Sequence, residues 1–492
     1  MPVMGKILSP RPGMVEHSSR GQNETGTLGA RMTETWRMSA TEVVAAVRNG
    51  NISARDVAEE HIARIDAVNG KLNAIVLRTD DAAREGADEV DSGLRSGPLA
   101  GAVITTKINT DHVPYPSDNG IKALRDNIAT VTHPVIRGLL DAGGVMAGRT
   151  NSPAFAMRFH TQNELHGETL NPWREDVSCG GSSGGAGSAV ASGMCHIAQG
   201  NDVAGSVRWP AYLNGVIGLR PTVGRLPTGG TNPNPRGWGA SMMSTSGPLA
   251  RTMDDIRVAY DAMAAPNWAD PFWVPAMREF TEPVPRRVAL VTADGLPIEP
   301  VVVENLRRVG ALLEDAGYEV VETTPPMLEE FFSLWKRVGV LDMMLGLVPM
   351  LPQIDDAGLT AAMTNWTSTF PEPSGATFLK GLQDRDMVMR AWNAFYAEYP
   401  LLVTPMMTVP NLPKGYDASH PDASSKLDVY GRWGINLSAI SMPALAFPVG
   451  SHDGAPMGVQ IAAHTWREDL LLVAGDALEE RLGKVQPIDP QW

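Results

Sequence analysis

Three short stretches of this chain hold residues that could do chemistry together. CGGSSGG sets Ser182 and Ser183 among glycines. Glycine permits turns that a side chain would block, so the segment can hold two hydroxyls in fixed directions. Further on, NDVAGSVRWP places Ser206 just after a predicted strand. A serine at such a turn can present its hydroxyl outward while nearby backbone N–H groups point at a developing oxyanion. Upstream lies TTKIN, with Lys107 at its centre. The combination points to a serine hydrolase whose base is a lysine rather than a histidine.

Other chemistries fit less well. Ser206 sits in AGSVR rather than G-x-S-x-G, and no Ser–Asp–His order matches it. Among His160, His166 and His196, the last falls in a predicted buried strand and reads as structural. Cys179 borders the glycine cluster and reads as a small buried packing residue. GGSSGGAG lacks the lysine of a phosphate-cradling loop, and neither HExxH nor a carboxylate cluster occurs. No metal and no cofactor are expected.

These stretches need elements to position them. Ser39 with Glu42 forms a capping-box pattern, and Ser53 with Asp56 marks a second helix start. GAVITTKIN predicts a short buried strand ending near Lys107. Thr132–Ala142 predicts an amphipathic helix, and GGVMAGRTN a strand and turn. Small residues from Gly184 to Gly193 predict a tightly packed helix, followed by the strand HIAQGND. RRVALVTADG, ENLRRVGALLEDAG and YEVVE form another strand–helix–strand unit, with Gly317 as its helix stop. MPALAFPVG and MGVQIAA read as strands, and EDLLLVAGDALEERL as the last helix. This alternation predicts an α/β fold, one large domain with a central mixed, mostly parallel twisted β-sheet flanked by helices. Residues 325–430 differ, being rich in Met, Trp, Pro and Phe. They are expected to form helices and loops that cover the core and line a pocket.

The bulk numbers agree with a globular enzyme. With 43% hydrophobic and 20% charged residues, 492 residues can bury a large core. A net charge of −14 disfavours a nucleic-acid or anionic-membrane surface. No apolar run is long enough to read as a membrane span. Two cysteines, Cys179 and Cys195, are too few for a disulfide scaffold, so a reducing, cytoplasmic compartment is expected. Residues 1–31 lack an apolar signal core and are expected to form a flexible extension, with Met32 as an alternative start. The catalytic domain is then expected over 32–492, with its motif core at about 95–260.

On these motifs the chain resembles the amidase signature family of serine hydrolases over about residues 38–480. GGSSGG, D-x-x-G-S at Asp202–Ser206, GLRPT and the lysine element occur in that family's order. GRTNSPAFA, LNPW at 170–173, SGPLARTMDD at 246–255 and MGVQIAA add to the likeness. The resemblance implies a Ser–cis-Ser–Lys triad. Ser206 falls at the nucleophile position, Ser182 at the bridging serine after a cis bond from Gly181, and Lys107 at the base. Ser183 matches a supporting hydroxyl. The N–H groups of Val203, Ala204, Gly205 and Ser206 match the oxyanion-hole segment. Asp202 matches a carboxylate that holds the nucleophile loop, and Arg208 is expected to tie the same loop to a carboxylate or to backbone carbonyls. Four positions depart from the usual pattern. KINTD leaves Asn109 or Asp111 in place of a lysine-adjacent aspartate, Asn201 replaces a threonine, Ala204 a glycine and Arg149 a lysine. Ala204 is compatible with the turn if its φ is negative.

The resemblance implies hydrolysis of the C–N bond of a linear carboxamide, giving an acid plus ammonia or an amine through a Ser206 acyl-enzyme. A small aryl or aliphatic amide or anilide is the expected substrate, with Phe155, Met157 and Trp335 as pocket candidates. The alternatives are the glutamine amidase subunit of a tRNA-dependent amidotransferase, and a carbamate, urea-type or cyclic-amide hydrolase. The expected partner is the small-molecule substrate, without membrane or direct nucleic-acid contact. Homodimers are common in the family, but no interface can be read from the sequence.

Overall fold

The computed structural model describes residues 34–228, 236–277, 280, 284–420 and 422–492. The expectations for residues 1–31 and for Met32 lie outside them. Both N-terminal caps form as expected. Ser39 Oγ accepts from the N–H of Glu42, whose carboxylate accepts from the N–H of Ser39, and the helix Ala40–Arg48 follows. Ser53 Oγ accepts from the N–H of Asp56 at the start of Ala54–Leu72. Each cap satisfies N–H groups that the first helical turn leaves without an intrahelical partner.

An eleven-stranded sheet forms the centre. Its order is Ile75–Arg78, Val145–Thr150, Val103–Lys107, Ile197–Asp202, Thr245–Ala250, Ile217–Arg220, Ala444–His452, Ala455–Ala463, Leu401–Thr404, Arg287–Leu290 and Glu319–Glu322. Parallel pairing is confined to two blocks. Val103–Lys107 runs parallel to Val145–Thr150 and to Ile197–Asp202, and Arg287–Leu290 runs parallel to Glu319–Glu322 and to Leu401–Thr404. Every other neighbouring pair is antiparallel. The sheet is therefore mixed, as expected, but parallel pairs are the minority rather than the majority. The physical reason is local. Asp453 and Gly454 take φ of 48° and 75° and close a hairpin between the two longest strands. Two successive positive φ values suit the twist of a tight hairpin, and a hairpin can only be antiparallel. Thr245–Ala250 then inserts antiparallel between Ile197–Asp202 and Ile217–Arg220.

Helices cover both faces. Leu139, Ile256, Leu306 and Leu471, from the helices Pro134–Asp141, Met253–Met263, Pro300–Asp315 and Glu468–Leu482, share one buried cluster with Ile104, Ile197 and Leu445 of the sheet. Ile65, Ala189 and Ala211, from Ala54–Leu72, Gly184–Ala191 and Arg208–Asn214, share another with Val103, Ala198 and Leu249. Strand side chains alternate between faces. Lys107 thus emerges on the face of Val103, toward the helix Gly184–Ala191. The region 325–430 is largely helical, with Leu328–Leu341, Ala357–Thr367 and Gly375–Glu398 as its long helices. Its Phe331, Trp335 and Trp392 belong to a third cluster, with Leu402 of the sheet.

The helix Pro134–Asp141 crosses Met253–Met263 at Gly138, where a Cβ would lie 2.1 Å from the carbonyl oxygen of Ala262. Alanine normally stabilises a helix over glycine by about 1 kcal/mol. Here the sign reverses. Gly138→Ala is expected to lower stability by about 1–3 kcal/mol through overpacking, read as a lower denaturant midpoint. An unchanged or higher midpoint would contradict this close approach.

Candidate active site

The structure brings the predicted serine and lysine elements to one place. Lys107, at the end of Val103–Lys107, is fully buried. Its Nζ lies 2.7 Å from Ser182 Oγ, 3.1 Å from Ser183 Oγ and 2.8 Å from Asn201 Oδ1. The peptide between Gly181 and Ser182 is cis, as the resemblance implied. Gly181 lies against the chain at Arg158–His160, where a Cβ would stand 2.4 Å from the carbonyl oxygen of Arg158. Burial pushes the Lys107 ammonium well below its usual pKa of 10.5, against a smaller opposing pull from the Asp202 charge.

Ser206 stands on the neighbouring loop. It is 8% exposed, whereas Ser182 is 1% and Lys107 0% exposed, so Ser206 is the hydroxyl of this group that reaches solvent. The N–H of Ser183 donates to the Ser206 carbonyl oxygen at 3.2 Å and ties the two serine loops together.

Asp202 organises the Ser206 loop, as the sequence implied. Its carboxylate accepts from the N–H groups of Gly205 (2.8 Å) and Val207 (3.2 Å), and from two nitrogens of Arg208, each at 2.9 Å. Ser438 Oγ adds a bond at 3.2 Å, and Arg220 donates to the Asp202 main-chain oxygen at 3.0 Å. Arg208 also reaches Gln460 and Ser438. Burial alone would raise the Asp202 pKa, but the Arg208 and Arg220 guanidiniums outweigh it and hold the carboxyl well below the usual range.

One expectation needs correction. The N–H of Gly205 is taken by Asp202 Oδ1, so it is not available to an oxyanion. Among the described residues, the N–H groups of Val203, Ala204 and Ser206 have no acceptor. Two indoles fix the peptide planes between them. Trp335 Nε1 donates to Val203 O at 2.7 Å, and Trp209 Nε1 to Ala204 O at 2.9 Å. Because a trans peptide is planar, holding each carbonyl sends the next N–H the opposite way. The positive φ in this turn falls on Gly205, at 99°, and not on Ala204. Alanine in place of glycine at 204 is therefore tolerated.

A cleft at Ser206 is lined by Ala156, Met157, Arg158, Phe159, Val203, Ala204, Trp335 and Trp366. Trp335 stacks on Trp366, with ring centres 4.7 Å apart, and Phe159 meets Trp366 edge-on at 5.5 Å. Arg158 does not lend the cleft a free charge, because it pairs with Asp417 at 2.9 Å and both side chains are buried. Of the three pocket candidates, Met157 and Trp335 line this cleft. Phe155 is not among the residues that line it, but packs with Met157 and Phe159 against the same aromatic and methionine cluster. Phe159 and Trp366 were not singled out from the sequence. Trp366 lies in the flagged Trp-rich region, whereas nothing local distinguishes Phe159.

The remaining predicted residues take structural places. Asn109, not Asp111, connects to the lysine, because Asn109 Oδ1 accepts from Asn201 Nδ2 at 2.9 Å. Arg149 donates to the main-chain oxygens of Lys107 and Thr110, at 3.1 and 2.8 Å. Cys179 is buried, and burial pushes its thiol up to about 12. His196 is buried too, with Nδ1 accepting from Val103 N at 3.0 Å and Nε2 facing His61 at 3.2 Å. His160 contacts Ser178 and Glu168, and His166 contacts Asp118. No group of His, Cys, Asp and Glu among the described residues could hold a metal ion, and no described helix is long and apolar enough to cross a membrane.

Residues 56–472 match the family described as Amidase. An indoleacetamide hydrolase from Bradyrhizobium diazoefficiens is 37% identical, over 91% of this chain and 87% of the relative. An acylamidase from Rhodococcus erythropolis is 33% identical, over 88% of this chain and 93% of the relative. A 6-aminohexanoate cyclic dimer hydrolase solved with its substrate superposes with a TM-score of 0.79 at 26% identity, covering 93% of this chain and 99% of that one.

Removing Arg208 tests the loop anchor. Arg208→Met leaves the buried Asp202 carboxylate without its bidentate partner, and a loss of about 3–5 kcal/mol in unfolding free energy is expected. The pH dependence carries a sign. A depressed folded-state pKa gives stability above the unfolded value of about 3.9, lost as pH falls through the folded value. Without Arg208 the folded value rises toward the unfolded one, so the acid loss of stability is smaller and is complete at higher pH than in the parent. Superimposable stability–pH curves would contradict the assignment.

Proposed function

The chain belongs to the amidase family and is an amide hydrolase; from that premise we propose that it cleaves a small, neutral, aryl-substituted carboxamide through a Ser206 acyl-enzyme. The observation that carries the substrate class is the cleft itself. Trp335, Trp366 and Phe159 give the cleft beside Ser206 an aromatic wall, and its arginine is already paired with Asp417. An aromatic acyl group gains edge and stacking contacts there, each worth about 0.5–1.5 kcal/mol beyond burial. A charged acyl group such as that of glutamine finds no free counter-charge. The likeness to an indoleacetamide hydrolase and an acylamidase supports the same reading.

The first proton transfer uses groups in hydrogen-bonding contact, Lys107 Nζ and Ser182 Oγ at 2.7 Å, and Ser206 stands on the adjoining loop, tied to Ser183 through the main chain. Neutral Lys107 takes the proton of Ser182, and Ser182 takes that of Ser206, whose Oγ attacks the amide carbon. The oxyanion lies toward the N–H groups of the Val203–Ser206 loop, other than that of Gly205. The proton then returns along the same path to the leaving nitrogen, and ammonia or an amine departs. Water repeats the sequence to release the acid. A charged ammonium cannot accept a proton, so burial of Lys107 serves the chemistry by favouring the neutral amine. The free, buried thiols of Cys179 and Cys195 support the further proposal of a reducing, cytoplasmic setting.

Purified protein profiled against arylacetamides, anilides, aliphatic amides, carbamates, cyclic amides and glutamine tests the substrate class. Turnover is expected for arylacetamides and lost in Ser206→Ala. Preference for glutamine, or equal turnover in Ser206→Ala, would overturn it. With the best substrate, kcat/KM should rise with pH and level off well below pH 10.5. Lys107→Arg should be inactive at every pH, because a guanidinium stays charged.

A further inference from the structure

We propose that Asn201, held in place by Asn109, is a positioning residue that turns the lone pair of Lys107 onto Ser182. The inference rests on the serine–lysine reading above and specifies how that site is aligned. It follows from counting hydrogens. Lys107 Nζ has three oxygen neighbours, Asn201 Oδ1, Ser183 Oγ and Ser182 Oγ. An ammonium carries three hydrogens and can donate to all of them. A neutral amine carries two hydrogens and one lone pair, so one neighbour must become the donor. Asn201 Oδ1 cannot, because it has no hydrogen. The amide is fixed in this sense by its other end, where Nδ2 donates to Asn109 Oδ1 at 2.9 Å. A flipped amide would set two donors against Lys107 and two carbonyl oxygens against each other. Ser183 is also committed, because its hydroxyl donates to the main-chain oxygen of Asn201 at 3.4 Å. Both amine hydrogens are therefore used, on Asn201 Oδ1 and Ser183 Oγ. The lone pair is left facing Ser182, whose hydroxyl hydrogen it receives as Ser182 takes the proton of Ser206. Asn201 thus orients two groups, the amine through its side chain and Ser183 through its backbone.

The pair also keeps formal charge away from the amine. Asp202 is the charged group on the strand Ile197–Asp202 that acts on Lys107, and it is engaged by Arg208 and Arg220. Arg149, from Val145–Thr150, donates to the main-chain oxygens of Lys107 and Thr110. Ser182, Ser183 and the helix Gly184–Ala191 carry no titratable carboxylate or base.

The test uses an alkyl fluorophosphonate and intact-mass detection, which reads the nucleophilicity of Ser206 without an amide substrate. Ser206 Oγ forms the P–O bond as fluoride leaves, and its proton passes through Ser182 to Lys107. The labelling rate of the parent should rise with pH. Asn201→Asp places a carboxylate against the ammonium, and its pH limb should move upward by about one to three pH units. Asn201→Leu should lower the plateau rate about two- to tenfold, the worth of one hydrogen bond between uncharged groups. Asn109→Asp should move the limb in the same direction by less, and it decides the matter if Asn201→Asp does not fold. A labelled parent whose limb is unmoved in the aspartate variants overturns the orientation device alone. A parent unlabelled at Ser206 across the pH range overturns both the device and the serine–lysine reading.

Discussion

An amine buried among three oxygens is the constraint around which this molecule is arranged. Lys107 has no exposed surface, and Ser182, Ser183 and Asn201 each lie within hydrogen-bonding distance of its amine. Burial and acceptors pull in opposite directions. Desolvation favours the neutral amine, while three oxygens and the nearby Asp202 favour the ammonium. The net result is a pKa well below 10.5, which favours the neutral amine. Everything near it serves this balance. A strand end delivers the lysine, a glycine-framed turn delivers two hydroxyls, and the adjacent strand delivers an uncharged amide where a carboxylate would raise the pKa.

A second buried charge cluster gives the reacting loop its shape. Asp202 gathers the N–H groups of Gly205 and Val207 and the guanidinium of Arg208. Fully buried ion pairs contribute little net stability over apolar residues, but breaking one is expensive, so the loop is held in one conformation. Two tryptophan indoles complete that restraint by fixing the carbonyls of Val203 and Ala204. Trp335 thereby joins the aromatic wall of the cleft to the peptide between Val203 and Ala204.

Local signals were the most legible in the sequence. Ser39 and Ser53 cap helices where their spacing to Glu42 and Asp56 says they should, because a cap is decided within four residues. Lys107, Ser182 and Ser183 meet as their motifs implied. The misreadings concern what distant segments do. Strand–helix alternation implies a parallel sheet, yet antiparallel partners arrive from elsewhere in the chain, and Asp453–Gly454 closes a hairpin that can only be antiparallel. The N–H of Gly205 looked available for an oxyanion until the Asp202 side chain was seen to take it. Phe159 faces the cleft only because Asp417, far away in sequence, accepts from its N–H and pairs with Arg158. No periodicity or spacing near Phe159 encodes that contact. Asn109 and Asn201 stood out only as departures from a family pattern, and their pairing required the fold.

The central claim is that Lys107 is a neutral amine through the pH range in which Ser206 reacts. It is tested most directly by NMR titration of lysine side chains labelled at Cε, with the Lys107 signal identified by its loss in Lys107→Arg. A titration midpoint well below 10.5, unlike that of the exposed lysines, is the result this account requires. A Lys107 signal that stays in its charged position until pH 10 or above would contradict it.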